Sequence, residues 1–187
     1  MRQDTAAPAG RRAGAFSSEP ARERPDSPPE SYGVPPEGGE FVPWDAVVHR
    51  LLVSSAYWLA TVSADGRPHV VPVWGVLVAD DLFLEAGAPE TVKARNLTRN
   101  PAIVVHLDNV DDVVIIHGRA VPTVPNADLG RALADAYRAK YPGYEPGPDS
   151  WSEGGLLRVE PERVLAWRDM PTATRWRFAG DGEVAAG

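Results

Sequence analysis

The sequence predicts a mainly β (α+β) fold, a small barrel of antiparallel strands with a few helices at its crossings. Three observations lead there. From residue 57 to residue 121, β-branched and aromatic stretches alternate with turn signals. Helical signals are confined to three places, following Pro43, Thr91 and Asn126. No G-x-G-x-x-G follows a strand, so an alternating βαβ fold has no support.

The chain has 187 residues, a net charge of −7 and no cysteine. The acidic balance gives the whole molecule no pull toward nucleic acid or an anionic membrane. Without cysteine there is neither a disulfide framework nor a thiolate metal site. No run approaches eighteen apolar residues, and the N-terminus lacks the apolar core of a signal peptide, so the expected compartment is the cytoplasm.

Residues 1–40 carry Pro8, Pro20, Pro25, Pro28, Pro29, Pro35 and Pro36 among Arg, Glu, Ser and Gly. Large apolar residues are scarce and aperiodic there, too few to offset ordering entropy, so the segment is expected to be a disordered tail. A domain over residues 41–178 and a short tail over 179–187 complete the expected organisation. Trp44, Val47, Val48, Leu51 and Leu52 have the spacing of one helical face, with Pro43 in the first turn. Tyr57 to Ser63 reads as a strand, "ADGR" as a tight hairpin turn, and Pro68 to Val78 as one long strand. Pro72 inside it implies an edge, a bulge or a position facing a ligand. Leu82 to Ala86, Ala102 to Leu107 and Asp112 to Val121 read as further strands. Asn126 caps a helix with a stripe at Leu129, Leu133, Ala136, Tyr137 and Lys140. Three short strands follow, Gly155 to Val159, Val164 to Arg168 and Thr174 to Phe178.

Within "AGAPETVKARNLTRN", residues 86–100, Lys93, Arg95 and Arg99 crowd the start of a helix. Helix starts favour acidic side chains, so a cluster of cations there calls for an external anion or a solvated face. His49, His69, His106 and His117 have no metal-ligand spacing, and no metal site is expected. In a hairpin of the two central strands, His106 is expected opposite Val113 or Val114, away from His117. Glu85, Asp111 and Asp112 stand at turns and strand ends, where solvation accounts for them. No nucleophile–base pair is recognisable, so the catalytic residues are unknown.

The order "DGRPHVVPVW", "LFLEAG", "TVKARNL", "NPAIVVHL", "DDVVIIHG" and a terminal "TATRWRF" resembles the pyridoxamine 5′-phosphate oxidase-like split barrels. It is most similar to their actinobacterial deazaflavin-dependent branch. The resemblance covers Pro43 to Phe178. It implies a split β-barrel that forms a homodimer with the cofactor at the subunit interface. The cofactor it implies is coenzyme F420, with FMN as the alternative. Thr91, Lys93, Arg95 and Asn96 then match the phosphate-binding segment, and Val71, Pro72, Val73 and Trp74 the strand whose backbone meets the ring. Val92 stands where the FMN-binding branch often carries Arg, which removes one phosphate ligand. Trp74 is open to two readings, a ring-stacking residue or part of the dimer core. For Arg175, Trp176 and Arg177, a buried Trp with two surface arginines is favoured over contact with cofactor or substrate.

The function this implies is hydride transfer between the reduced cofactor and an unsaturated small molecule, without nucleic-acid or membrane partners. The cofactor carries that chemistry, which accounts for the missing catalytic signature. A non-catalytic cofactor-binding protein is the alternative. An FMN-dependent pyridoxamine 5′-phosphate oxidase and a haem-degrading split barrel rank lower.

Overall fold

The computed structural model describes residues 13–25, 33–35 and 39–179. The expectations for residues 1–12, 26–32, 36–38 and 180–187 lie outside the described residues. Among those described, antiparallel strands form one sheet in the order β1-β9-β8-β7-β6-β2-β3, and β4 and β5 join it where β5 pairs with β8. The strands are β1 (Ala21–Glu23), β2 (Tyr57–Val62), β3 (Pro68–Val73), β4 (Gly75–Val78), β5 (Asp81–Glu85), β6 (Ala102–His106), β7 (Val113–Pro122), β8 (Leu156–Trp167) and β9 (Thr174–Arg177). The helices are α1 (Trp44–Val53), α2 (Val92–Leu97) and α3 (Ala127–Lys140). The fold is the split barrel that the sequence predicts.

Alternation sets the barrel wall. β2 buries Tyr57, Leu59 and Thr61 and turns Trp58, Ala60 and Val62 outward. β6 and β7 keep the same parity, with Ile103, Val105, Val114 and Ile116 inside. The hairpin at Asp65-Gly66 holds β2 against β3, with Gly66 at φ 81°. His106 pairs with Ile115, a short shift from the expected Val113 or Val114, and His117 pairs with Val104.

Three strand readings are corrected. Pro68 to Val78 is two strands broken at Trp74, because β3 pairs with β2 while β4 turns away to pair with β5. Gly155–Val159 and Val164–Arg168 are halves of one strand, β8. β7 runs along both halves, with an irregularity at Pro161, while one half also pairs with β5 and the other with β9. α1 buries Trp44, Val47 and Leu51, but Leu52 is exposed and Arg50 is buried in its place. Arg50 forms an ion pair with Asp112, which also contacts Arg168 at 3.3 Å, so Asp112 is a structural anchor rather than a solvated turn residue. Asn126 caps α3 by accepting from Leu129 N at 2.9 Å, as its sequence predicts.

The largest correction concerns the N-terminal segment. Residues 13–25 are a strap laid across the barrel, not a disordered tail. Phe16 is 3% exposed, stacked on Trp44 at 6.0 Å and edge-on to Phe178 at 6.0 Å. Composition hid this because a single aromatic anchor supplies the burial. β1 then pairs with β9, Glu23 opposite Arg175. The strap also grips the β4–β5 turn, where Ala79 and Asp80 both have positive φ. Ala15 N donates to Asp81 Oδ1 and Phe16 N to Asp80 O, each at 2.8 Å. A Cβ at Gly14 would lie 2.1 Å from Ala79 O, so only glycine passes there. Two non-glycine residues in the left-handed region are strained, and these bonds hold them.

Candidate functional site

The break after β3 brings Trp74 beside the loop that leads into α2. Trp74 O accepts from Glu85 N at 2.9 Å, and Ala86 N donates to Gly155 O at 2.9 Å. These bonds fix the start of the Gly87–Glu90 loop. A groove of about 320 Å³ opens between the two segments, lined by Ala56, Pro72, Val73, Trp74, Glu85, Gly87 and Lys93. Of the eight residues predicted to bind the cofactor, it holds four: Pro72, Val73, Trp74 and Lys93.

The other four lie elsewhere. Thr91 is the N-cap of α2, its Oγ1 accepting from Ala94 N at 3.4 Å. Val71 is partly buried against the barrel core. Arg95 donates to Glu90 O at 2.9 Å and lines a second hollow with Ser63, Asp65 and Arg99. Asn96 is 6% exposed and donates from Nδ2 to Thr61 Oγ1 at 3.0 Å, a tie between α2 and β2. α2 has only six residues, so its macrodipole is small. The preference for an anion therefore rests on Lys93 rather than on the helix.

Lys93 is half-buried, and among the described residues no carboxylate lies within ion-pair distance of it. A Cβ at Gly87 would sit 3.5 Å from its Nζ, and Gly87 has φ 69°. A side chain at position 87 would be strained by that φ.

Sequence reasoning missed what holds Trp74. Its ring stacks on Tyr141 at 4.8 Å with an 18° tilt and meets Tyr144 at 5.2 Å. Tyr141 Oη donates to Gly75 O and accepts from Gly75 N, both at 2.9 Å, pinning the strand break. Tyr144 Oη donates to Glu85 at 2.5 Å. Burial, and then the bond and charge of Glu85, push the Tyr144 phenol up, so it remains a donor. Glu85 is therefore a fixed acceptor on the groove wall. Trp74 itself stays 44% exposed. The aromatic spacing Tyr137, Tyr141, Tyr144, at and just beyond the end of α3, is the signal that could have pointed to this cluster.

At the other edge of the sheet, Trp176 is fully buried against Trp44. Arg177 is on the surface as predicted, but Arg175 is 4% exposed and bonded to Glu23 at 2.7 Å. His117 is half-buried and its imidazole is pushed down, by burial and then by Arg163. Among the described residues no three His, Asp or Glu side chains gather into a metal site, and no helix is long and apolar enough to cross a membrane.

Comparison with known proteins adds to this geometry. The family described as Pyridoxamine 5′-phosphate oxidase matches residues 44–168. Among solved structures, a conserved hypothetical protein from Mycobacterium tuberculosis is 21% identical with a TM-score of 0.59, over 81% of this chain and 96% of that one. General Stress Protein 26 from Bacillus anthracis is 15% identical with a TM-score of 0.53, over 72% and 97% respectively. A heme binding protein from Mycobacterium smegmatis is 19% identical with a TM-score of 0.53, over 73% and 59%. Among curated proteins none matches. At these identities the structural likeness concerns the fold alone.

Proposed function

Because the chain belongs to the pyridoxamine 5′-phosphate oxidase family, we propose that it is an oxidoreductase dependent on F420, or alternatively FMN, acting on an unsaturated small molecule. One observation carries this reading: an unpartnered lysine and an exposed tryptophan share one groove. The residues present fit such a cofactor. Lys93 matches its phosphate, because a charge-assisted bond favours an anion there. Trp74, backed by Tyr141, offers a flat surface to a ring system. The bound cofactor supplies the hydride chemistry. The chain orients it and, through Pro72 and Val73, covers one side of the groove.

A homodimer with the cofactor at its interface belongs to this proposal. The outward row Val70, Ala60, Val104, His117 and its neighbour Pro72, Trp58, His106, Ile115 make a sheet face that is apolar apart from two histidines. Val70 is 47% exposed, more than a solvated barrel wall favours. Sedimentation at micromolar concentration tests this, with a monomer mass counting against it.

The test of function is the absorption spectrum and mass of whatever co-purifies from a host that makes the deazaflavin, followed by turnover with the bound cofactor. A deazaflavin or flavin chromophore supports the reading. Binding without turnover on any unsaturated acceptor favours a carrier protein. No chromophore, and no fluorescence change on titration with F420 or FMN, overturns it.

A further inference from the structure

Lys93 brings a positive charge to the groove, and Glu85 brings a negative one. Both residues are partly buried, yet among the described residues neither forms an ion pair, with the other or with a third group. Lys93 accounts for an anion on the ligand. Glu85 asks for something else.

The carboxylate is held on three sides. β5 sets Glu85 opposite Leu156 of β8. Its backbone N–H donates to Trp74 O at 2.9 Å. Tyr144 Oη donates to its Oε1 at 2.5 Å. The neighbouring phenols stay protonated: burial, and then the charge of Glu85, push the Tyr137 phenol up, as burial and Glu85 do that of Tyr144. An ionised carboxylate accepts at both oxygens. Oε1 is taken by Tyr144, whereas Oε2 has no donor among the described residues. A positioned carboxylate oxygen on a groove wall, without a donor of its own, is an acceptor for a ligand.

Tyr144 touches both Glu85 and the Trp74 ring, the latter at 5.2 Å. A flat ring on the exposed side of Trp74 thus lies beside Glu85 and offers it an edge. We propose that Glu85 determines which rings the groove accepts, by taking a hydrogen bond at Oε2 from an in-plane ring N–H. The inference rests on the reading of the groove as a flavin or deazaflavin site. Both ring systems carry an imide N–H on one edge, and a carboxylate accepts from it through a charge-assisted bond. The same carboxylate repels an edge that presents only lone pairs. Trp74 alone would stack on any flat ring, so the selection belongs to Glu85.

The test compares F420 and FMN with forms of each methylated at the imide nitrogen, by fluorescence titration of the full-length chain. The parent that binds is expected to bind at least about tenfold more tightly than its methylated form. Glu85→Gln separates charge from shape, since the amide has the size of the carboxylate and meets the methyl group equally. In that variant the ratio of parent to methylated affinity is expected to fall at least about threefold, because a neutral acceptor makes the weaker bond. On the unaltered chain, NMR of the ligand labelled with 15N at the imide should show its proton protected from exchange and shifted downfield. This measurement does not depend on how the variant folds. Equal affinity for parent and methylated ligand, a ratio unchanged in Glu85→Gln, or a freely exchanging imide proton each overturns the role of Glu85 while leaving the cofactor reading intact. Failure of both parents to bind overturns the cofactor reading, and the role of Glu85 falls with it.

Discussion

Around β9 the chain supplies its own counter-charges, whereas around α2 it leaves a cation open. Glu23 bridges Arg175 and Arg177, Glu19 accepts from Trp176 Nε1 at 3.2 Å, and Arg24 donates to the carbonyls of Pro171 and Ala173. In the groove, Lys93 is as sheltered as many of these groups but has no partner in an ion pair. Exposed cations such as Arg99 need no explanation, because water satisfies them. A half-buried one on a groove does. The difference separates residues that hold the fold from the one we propose as a ligand contact, although both regions look equally basic in the sequence.

The strap gives the largest test of that distinction. Deleting residues 1–25 removes Phe16 from its stack with Trp44, the β1–β9 pairing and the clamp on the Ala79-Asp80 turn. Loss of one buried aromatic alone costs about 3–5 kcal/mol. The expected fall in Tm is on the order of 10 °C. Phe16→Ala reproduces most of it, with cofactor affinity unchanged in both. An unaltered melting curve would return the strap to the dispensable tail that its composition suggests.

Within α2 the comparison narrows to two residues. Lys93→Ala is expected to weaken cofactor binding by ~1.5–3 kcal/mol, about 10- to 150-fold, while stability holds. Salt then weakens binding to the wild type more than to the variant, because only the wild type has that ion pair to screen. Asn96→Ala does the reverse: it leaves Thr61 Oγ1 buried without its donor, for a stability loss of about 1–3 kcal/mol, and affinity stays near wild type. Fluorescence titration and urea denaturation of both variants check the pair. If Lys93→Ala binds as well as wild type, the open-cation argument fails.

Most of the wall of the barrel was legible because alternation and turn chemistry are local. The burial of Tyr57, Leu59 and Thr61, the Asp-Gly hairpin and the Asn126 cap each follow from a few adjacent residues. β1 was not, since Ala-Arg-Glu has no strand signal and gains its pairing from distant parts of the chain, Phe16 on Trp44 and Glu23 on Arg175 and Arg177. Nor was the continuity of β8, where Pro161 reads as a stop but falls opposite Gly118 at an irregular position in the ladder. In the candidate site, Lys93 and Trp74 were visible as residue types in a familiar order. The separation of Arg95 and Asn96 from them was not, because it depends on how a six-residue helix is rotated against β2. The Tyr141 stack on Trp74 was also hidden, since it joins parts of the chain far apart in sequence.

The smallest expected effect concerns Glu23 and isolates charge from packing. Burial alone would raise its carboxyl, but the hydrogen bonds and positive charges of Arg175 and Arg177 hold it below the ordinary value. A pKa lower in the folded than in the unfolded chain makes the stabilisation complete above the unfolded value near 4.5. The stabilisation drains away as pH falls through the folded value. Glu23→Gln keeps an oxygen acceptor for Arg175 Nε and removes only the charge. Glu23 is 39% exposed, so solvent screens the pair and the variant is expected to lose no more than about 1 kcal/mol at pH 7. Below the folded pKa the wild-type carboxyl is itself neutral, and the two stability curves should meet. Urea denaturation of both proteins between pH 7 and pH 3 follows the gap as it closes. A gap that stays constant through that range would assign the effect of Glu23 to shape and hydrogen bonding, and the strap would then be held without help from its charges.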